Sequence, residues 1–350
     1  MIVNEKIRDI VASIGLPRLL IALFLFCLFI IAPFVGVRVD TSIHDVIARF
    51  GMNAVLVLSL VPMVKSGCGL NFGLQLGVIA GLLGAVISLE LGISGFTGFL
   101  VAVIIAAFFA SILGYLYGIL LNRVKGDEMV VATYVGFSSV SFMSIMWLVL
   151  PFKNPDMIWA YGGEGLRTTI STEGYWFHIL NDFLKINLGS HIAIPTGALL
   201  FFAFLCLIVW AFFRTKDGTA MEAVGSNPDY ARSCGINVDK VRINSVIMST
   251  VIAAIGILVY QQSFGFIQLY NAPLMMAFPA IAALLLGGAS VTKVKMWNVI
   301  IGALLFQGIL AMTPSVINNI IKSDMSETIR IIISNGMIVY ALTRRMKVRS

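Results

Sequence analysis

The sequence predicts an all-α, polytopic membrane protein of about ten transmembrane helices with both termini cytoplasmic. Three observations carry that prediction. Of 350 residues, 59% are hydrophobic and 12% are charged, with a mean hydropathy of +0.96, whereas soluble domains carry about a quarter charged residues. Apolar runs of bilayer length, about 20 residues each, recur along the whole chain. Basic residues gather in alternate connections, as the positive-inside rule expects. One side keeps only Arg38, Arg49, Lys153, Arg167, Lys185, Lys322 and Arg330, and the other 17 of the 24 Lys and Arg fall on the side of the termini.

The spans are placed at residues 17–36, 46–64, 70–91, 97–121, 129–150, 194–213, 243–262, 274–289, 297–312 and 327–343. Lys6, Arg8 and Arg18 precede an apolar run at 19–37 that is long enough to cross, so it reads as a retained first span rather than a cleaved signal. The third, eighth and ninth spans are short or rich in glycine, which allows a broken or re-entrant segment. Gly67, Gly69, Gly73, Gly77, Gly81 and Gly84 repeat at close spacing, and Gly287, Gly288 and Gly302 recur late; small residues at such intervals let helices approach closely. Residues 58–85 and 281–307 each run from an apolar stretch through Gly/Ser and Lys into a Gly-Ala-bearing span, a faint internal duplication of a kind transporters use. Residues 1–350 read as one transmembrane domain.

Two connections stand out. Residues 214–242, RTKDGTAMEAVGSNPDYARSCGINVDKVR, place charges, glycines and a proline between apolar runs. Thr219 followed by Glu222 reads as a capping box, with Gly225 as left-handed stop. Asn227 as cap, Pro228 at the first helical position, Asp229 in the first turn and Gly235 as stop read as a second helix. The slim Ala220, Met221, Ala223 and Val224 let another surface come close. A DNA-binding helix–turn–helix has the same outline, but both ends here run straight into apolar spans. The other connection, the extracytoplasmic loop 151–194, holds Pro151, Pro155, Gly162 and Gly163, and an amphipathic run at 172–186 with Tyr175, Trp176, Phe177 and Phe183. It suits a surface helix at the membrane boundary or a docking platform on the outer face.

The basic balance, net +7 and pI 9.3, lies at span ends and not in a stripe with aromatics, which argues against nucleic-acid binding. Cys27, Cys68, Cys206 and Cys234 lack paired spacing, and His44, His178 and His191 are scattered, so no metal or disulfide framework is expected. No G-x-x-x-x-G-K-[ST] motif is present. This chain is therefore expected to bind no cofactor itself. The spans carry almost no ionisable groups at depth, unlike ion-driven transporters, and no clustered acid, base or nucleophile suggests an enzyme. Candidates for a polar path are Asn53, Asn71, Gln75, Thr133, Ser138, Ser141, Gln261, Gln262, Gln268 and Asn271, with Phe72, Tyr134 and Tyr260 as stacking surfaces. For each, interhelical hydrogen bonding is the competing role. Neutral and aromatic groups suit a sugar or nucleoside, and leave a flavin-like or amino-acid solute open.

The pattern G-x-x-x-x-A-x-G-x-N-P-x-x-A-x-x-x-G-I, carried by Gly218, Ala223, Gly225, Asn227, Pro228, Ala231, Gly235 and Ile236, resembles the cytoplasmic coupling segment of permeases in the ribose/branched-chain amino acid class of ABC importers. SGCGLNFGLQLG at 66–77 resembles that family's glycine-rich stretch after the second span, with Asn71 where Asp is usual, and AIAALLLGGAS at 280–290 resembles its A-I-A-A-V-x-L-G-G-x-S. Downstream, Thr292, Lys293, Val294 and Lys295 stand in place of the usual paired glycines. KGDEMVVATYVGF at 125–137 and PFKNPD at 151–156 resemble the nucleoside-type branch. The resemblance implies an ATP-driven importer subunit for a simple sugar or nucleoside, in the plasma membrane. It would work with an ABC ATPase subunit, a second identical or related permease and an extracytoplasmic substrate-binding protein. It also implies that Gly218, Met221, Glu222, Ala223, Gly225, Asn227, Pro228, Ala231 and Gly235 form the ATPase-coupling segment. A self-sufficient channel or facilitator is the rival reading.

Overall fold

The computed structural model describes residues 16–159, 165–188, 192–321 and 326–343. Apolar runs become helices, since backbone groups without water must bond within their own segment. In order they are α1 (Leu16–Phe34), α2 (Val39–Leu58), α3 (Val61–Lys65), α4 (Gln75–Glu90), α5 (Gly95–Arg123) and α6 (Glu128–Val149), then α7 (Thr196–Phe212), α8 (Lys216–Ser226), α9 (Pro228–Ser233) and α10 (Val238–Phe264), and finally α11 (Asn271–Met275), α12 (Ala277–Leu286), α13 (Met296–Ile321) and α14 (Ser326–Thr343).

Five helical stretches among the described residues are long and apolar enough to cross a membrane: Val39–Lys65, Gly95–Arg123, Glu128–Val149, Val238–Phe264 and Met296–Ile320. The pair α7 and α8, bent by 77°, makes a sixth. Shorter apolar helices, Leu19–Phe34, Gln75–Glu90, Asn271–Leu286 and Thr328–Leu342, fall on the remaining predicted segments. The chain is a mostly helical, multi-pass membrane protein. Of the three irregular spans, the third is helical only from Gln75, the eighth is split at Met276 into α11 and α12, and the ninth is an unbroken 26-residue helix.

α10 lies at the centre, packed on α5, α4 and α2. Glycines set these distances, because lipid supplies no hydrophobic drive between helices and close van der Waals packing must replace it. A Cβ on Gly77 would stand 2.6 Å from the Ala253 Cβ; on Gly81, 2.6 Å from the Ala254 carbonyl oxygen; on Gly84, 2.5 Å from the Ala102 carbonyl oxygen. The same device joins α12 to α13, where Gly287 meets Gly302.

The connection after α6 folds over one end of the bundle as a cap. β1 (Thr169–Ser171) pairs antiparallel with β4 (Phe266–Gln268), and β2 (Ile186–Leu188) pairs with β3 (Ile192–Ile194). The Glu90 carboxylate at the end of α4 accepts from the Lys153 and Asn154 amides at 3.1 Å each. Gly95 N–H donates to the Tyr175 carbonyl at 2.7 Å, and His178 N–H to the Gln262 carbonyl at 2.9 Å. Trp176 is fully buried, edge-on to Phe99 at 6.1 Å.

This corrects the expectation for residues 172–186. They form turns that lead into β2, and no helix, because Gly174, His178 and Leu184 adopt positive φ and Trp176 turns into the core instead of lying on a membrane surface. Gly162, Gly163 and His191 lie outside the described residues, as do Lys6, Arg8, Lys322 and the basic residues from 344 onward.

Candidate functional site

The polar hairpin of α8 and α9 sits at the end of the bundle opposite the cap. The Lys65 carbonyl and the Gly67 amide border its Gly225, whereas Glu90 and Gly95, one helix further along, border the cap. Its second half is built as the sequence predicts. The Asn227 side chain accepts from the Asp229 and Tyr230 amides at 3.1 and 3.0 Å, Pro228 opens α9, and Gly235 at φ 82° ends it.

Its first half is built differently. Thr215, not Thr219, caps α8, accepting from Gly218 N–H at 3.3 Å. Thr219 is already inside the helix and donates back to the Lys216 carbonyl. Glu222 makes no capping bond; its carboxylate pairs with the Lys65 ammonium. Gly225 has no left-handed conformation. It is helical, and its missing Cβ lets α8 rest directly on the Lys65 carbonyl.

The predicted coupling residues therefore divide. Gly218, Met221 and Ala231 are buried and Ala223 and Gly225 half-buried, which seats the hairpin on its own bundle. Glu222, Asn227, Pro228 and Gly235 are exposed, joined by Tyr230, which is 68% exposed.

Lys65 is the hub of the seat. Its ammonium lies 4.1 Å from the centre of the Phe213 ring as well as on Glu222. Two further pairs brace the same end. Lys125 bonds Asp239 at 2.5 Å, and Arg242 bonds Glu128 at 2.5 Å with only 11% and 17% of those side chains exposed. Sequence reasoning missed these partnerships, since no local spacing relates position 65 to 222 or 128 to 242.

The predicted polar path also sorts by geometry. Asn53 and Thr133 bond carbonyls of their own helices, as does Ser141. Asn71, fully buried, is fully engaged: Nδ2 donates to Ser249 Oγ at 2.9 Å, and Oδ1 accepts from Gly73 N–H and the Tyr117 hydroxyl. Gln262 ties α10 to the cap through the Leu180 amide and Asn181. Gln268 stands in β4 opposite Thr169, and Asn271 is exposed at the start of α11. Tyr134 and Ser138 point outward from α6. Tyr260 stacks on Phe264 at 5.4 Å. Gln75 and Gln261 are the exceptions: both are buried, and neither amide has a partner. Phe72 lies edge-on to Phe278 at 5.9 Å, and Phe137 stacks on Phe278 at 6.2 Å. Among the described residues, no group of three His, Cys, Asp or Glu could hold a metal.

Set beside known proteins, residues 42–342 match the family described as the permease component of branched-chain amino acid transport systems. The chain belongs to that family. This permease is 27% identical over 233 residues to the nucleoside ABC transporter permease protein NupB of Lactococcus lactis, covering 65% of the chain and 59% of the relative. It is 24% identical over 298 residues to the galactofuranose transporter permease protein YtfT of Escherichia coli, covering 82% and 77%. To the autoinducer 2 import system permease protein LsrC of Photorhabdus laumondii it is 32% identical, over 41% of the chain and 44% of the relative. The permease thus spans little more than half of the nucleoside relative's length. No solved structure matches it.

Proposed function

We propose that this permease is the membrane subunit of an ATP-driven ABC importer for a simple sugar or nucleoside. The supporting observation is the seat of the α8–α9 hairpin. It leaves an exposed, rigidly capped face at one end of the bundle and fixes the opposite face to the end of α3 and the turn after it through Lys65, Gly67 and Gly225. A push on the exposed face therefore reaches the end of α3 through backbone contact at Gly225, and α10 through the packing of α8 against it.

In this reading residues 1–350 form one permease domain with ten crossings and both termini in the cytoplasm of a plasma-membrane protein. The hairpin faces the cytoplasm, where an ABC ATPase subunit docks on Glu222, Asn227, Pro228 and Tyr230. α5, 29 residues long, reaches about 43 Å at 1.5 Å per residue, enough to cross hydrocarbon and headgroups. The cap faces outward and receives a substrate-binding protein. A second permease, identical or related, completes the transmembrane pair.

Transport proceeds by alternating access. ATP is hydrolysed on the partner, and the ATPase's two states contact the hairpin differently, which alone can shift the equilibrium between inward- and outward-open forms. The relatives named for nucleoside, galactofuranose and autoinducer 2 transport or import support this class of cargo, and the nucleoside relative's description as an ABC permease favours it over a channel. Reconstitution decides between the two. The chain in liposomes is inert alone and accumulates solute only with ATPase, binding protein and ATP; flux through the chain alone would show a channel.

A further inference from the structure

Two breaks in the helical framework meet beside one unpaired amide. α4 begins only at Gln75, after a non-helical stretch in which Gly67 and Gly69 hold positive φ. α11 and α12 part at Met276, and α11 packs on both α4 and α6. Phe278, two residues past that break, touches Phe72 one turn before Gln75 and Phe137 on α6. Gly136, next to Phe137, lies so close to Gln75 that a Cβ there would stand 2.5 Å from Oε1 and 2.8 Å from Cδ. Gln75 is fully buried, yet neither Oε1 nor Nε2 has a hydrogen-bond partner.

A buried amide left unpaired is destabilising, and its neighbours show that the fold could have avoided it: Asn71, one turn earlier, is fully bonded. Broken helices at membrane depth are tolerated where they are buried in protein or line a cavity, and transporters place solute sites at them. Gln261, the other unpaired glutamine, does not share this setting; it lies one turn from the cap.

We infer that Gln75, with Phe72, Phe137 and Phe278, is the recognition point for an uncharged, ring-bearing solute that offers a hydrogen-bond donor and acceptor side by side. The amide supplies the complementary pair, and the phenyl faces cover the ring. A nucleobase edge and a vicinal diol both present that chemistry. A charged group finds no counter-ion among these four side chains. This assignment rests on the importer reading, and deepens it by locating where the solute is read.

The test uses the permease with its ATPase and binding protein in liposomes, supplied separately with uridine, D-ribose and L-leucine. ATP-dependent uptake of uridine or ribose is expected. Gln75→Leu raises its half-saturating concentration about tenfold or more, while ATP hydrolysis continues. Phe278→Leu gives a smaller rise, of a few-fold. Gln75→Leu also melts at the same or a higher temperature, because it removes two unpaired polar atoms; a purely structural glutamine would give the reverse. A Gln75→Leu protein that transports like the wild type, or melts lower, overturns the site, as does uptake of leucine alone. Uptake that needs no ATP yet still falls in Gln75→Leu keeps the site and removes the importer reading.

Discussion

Gly225→Ala isolates the contact through which, in the proposed mechanism, the hairpin drives the bundle. The added Cβ would stand 2.9 Å from the Lys65 carbonyl carbon and 3.0 Å from the Gly67 nitrogen, with the Lys65 oxygen closer still. Carbon contacts relax to 3.5–4.0 Å, so α8 must lift by roughly 1 Å. Both opposing atoms are backbone, and no rotamer change can relieve them. Alanine also gains up to about 1 kcal/mol of helix propensity over glycine, whereas overpacking of this kind costs about 1–3 kcal/mol. Lifting also strains the Lys65–Glu222 pair, worth roughly 0.2–1 kcal/mol at this exposure. Overpacking wins, and a net loss of about 2 kcal/mol shifts the balance of seated over unseated hairpin by about 30-fold. In liposomes holding the full complex, ATP hydrolysis should persist while solute moved per ATP falls several-fold, with the bundle's melting temperature nearly unchanged. Wild-type stoichiometry in Gly225→Ala would refute the reasoning.

Three further perturbations test other joints. Asn227→Ala removes the acceptor for two amides and should destabilise α9 by about 1 kcal/mol, seen as faster hydrogen exchange at 229–231; unchanged exchange would show that the cap is idle. Gly81→Ala drives a methyl into Ile257 and the Ala254 carbonyl, and a loss of about 1–3 kcal/mol should appear as a lower melting temperature in detergent. Glu128→Gln leaves Arg242 charged in a half-buried site and should cost about 1–3 kcal/mol, while Glu128→Gln combined with Arg242→Met recovers most of it; equal losses in single and double variants would count against the pair.

Much of the fold could be read from one-dimensional signals. Apolar runs place the helices because the bilayer makes length and polarity decisive. Asn227, Pro228 and Gly235 are recognisable because a cap acts within three residues of itself. Glycines at 77, 81 and 84 announce close helices without saying which ones. What stayed hidden depends on partners distant in sequence. Thr219 with Glu222 spells a capping box, but Glu222 is drawn to Lys65, and Thr215, four residues earlier, takes the cap. Gly225 looked like a helix stop and proves to be a point of contact. Among the polar path residues, Asn71 and Gln262 are indistinguishable from Gln75 in the sequence. Only the fold reveals that the first two are bonded to Ser249 and Asn181 while Gln75 is not. Residues 172–186 show a helical period, yet positive φ at Gly174, His178 and Leu184 breaks it, a choice made by Trp176 finding Phe99.

The most direct measurement is ATP-dependent uptake by the reconstituted complex in which residues 215–235 are replaced with a flexible Gly-Ser chain of equal length. The account predicts that the bundle still assembles and that uptake is abolished, because the exposed face and its seat on Lys65 and Gly67 are both gone. Undiminished uptake would contradict it.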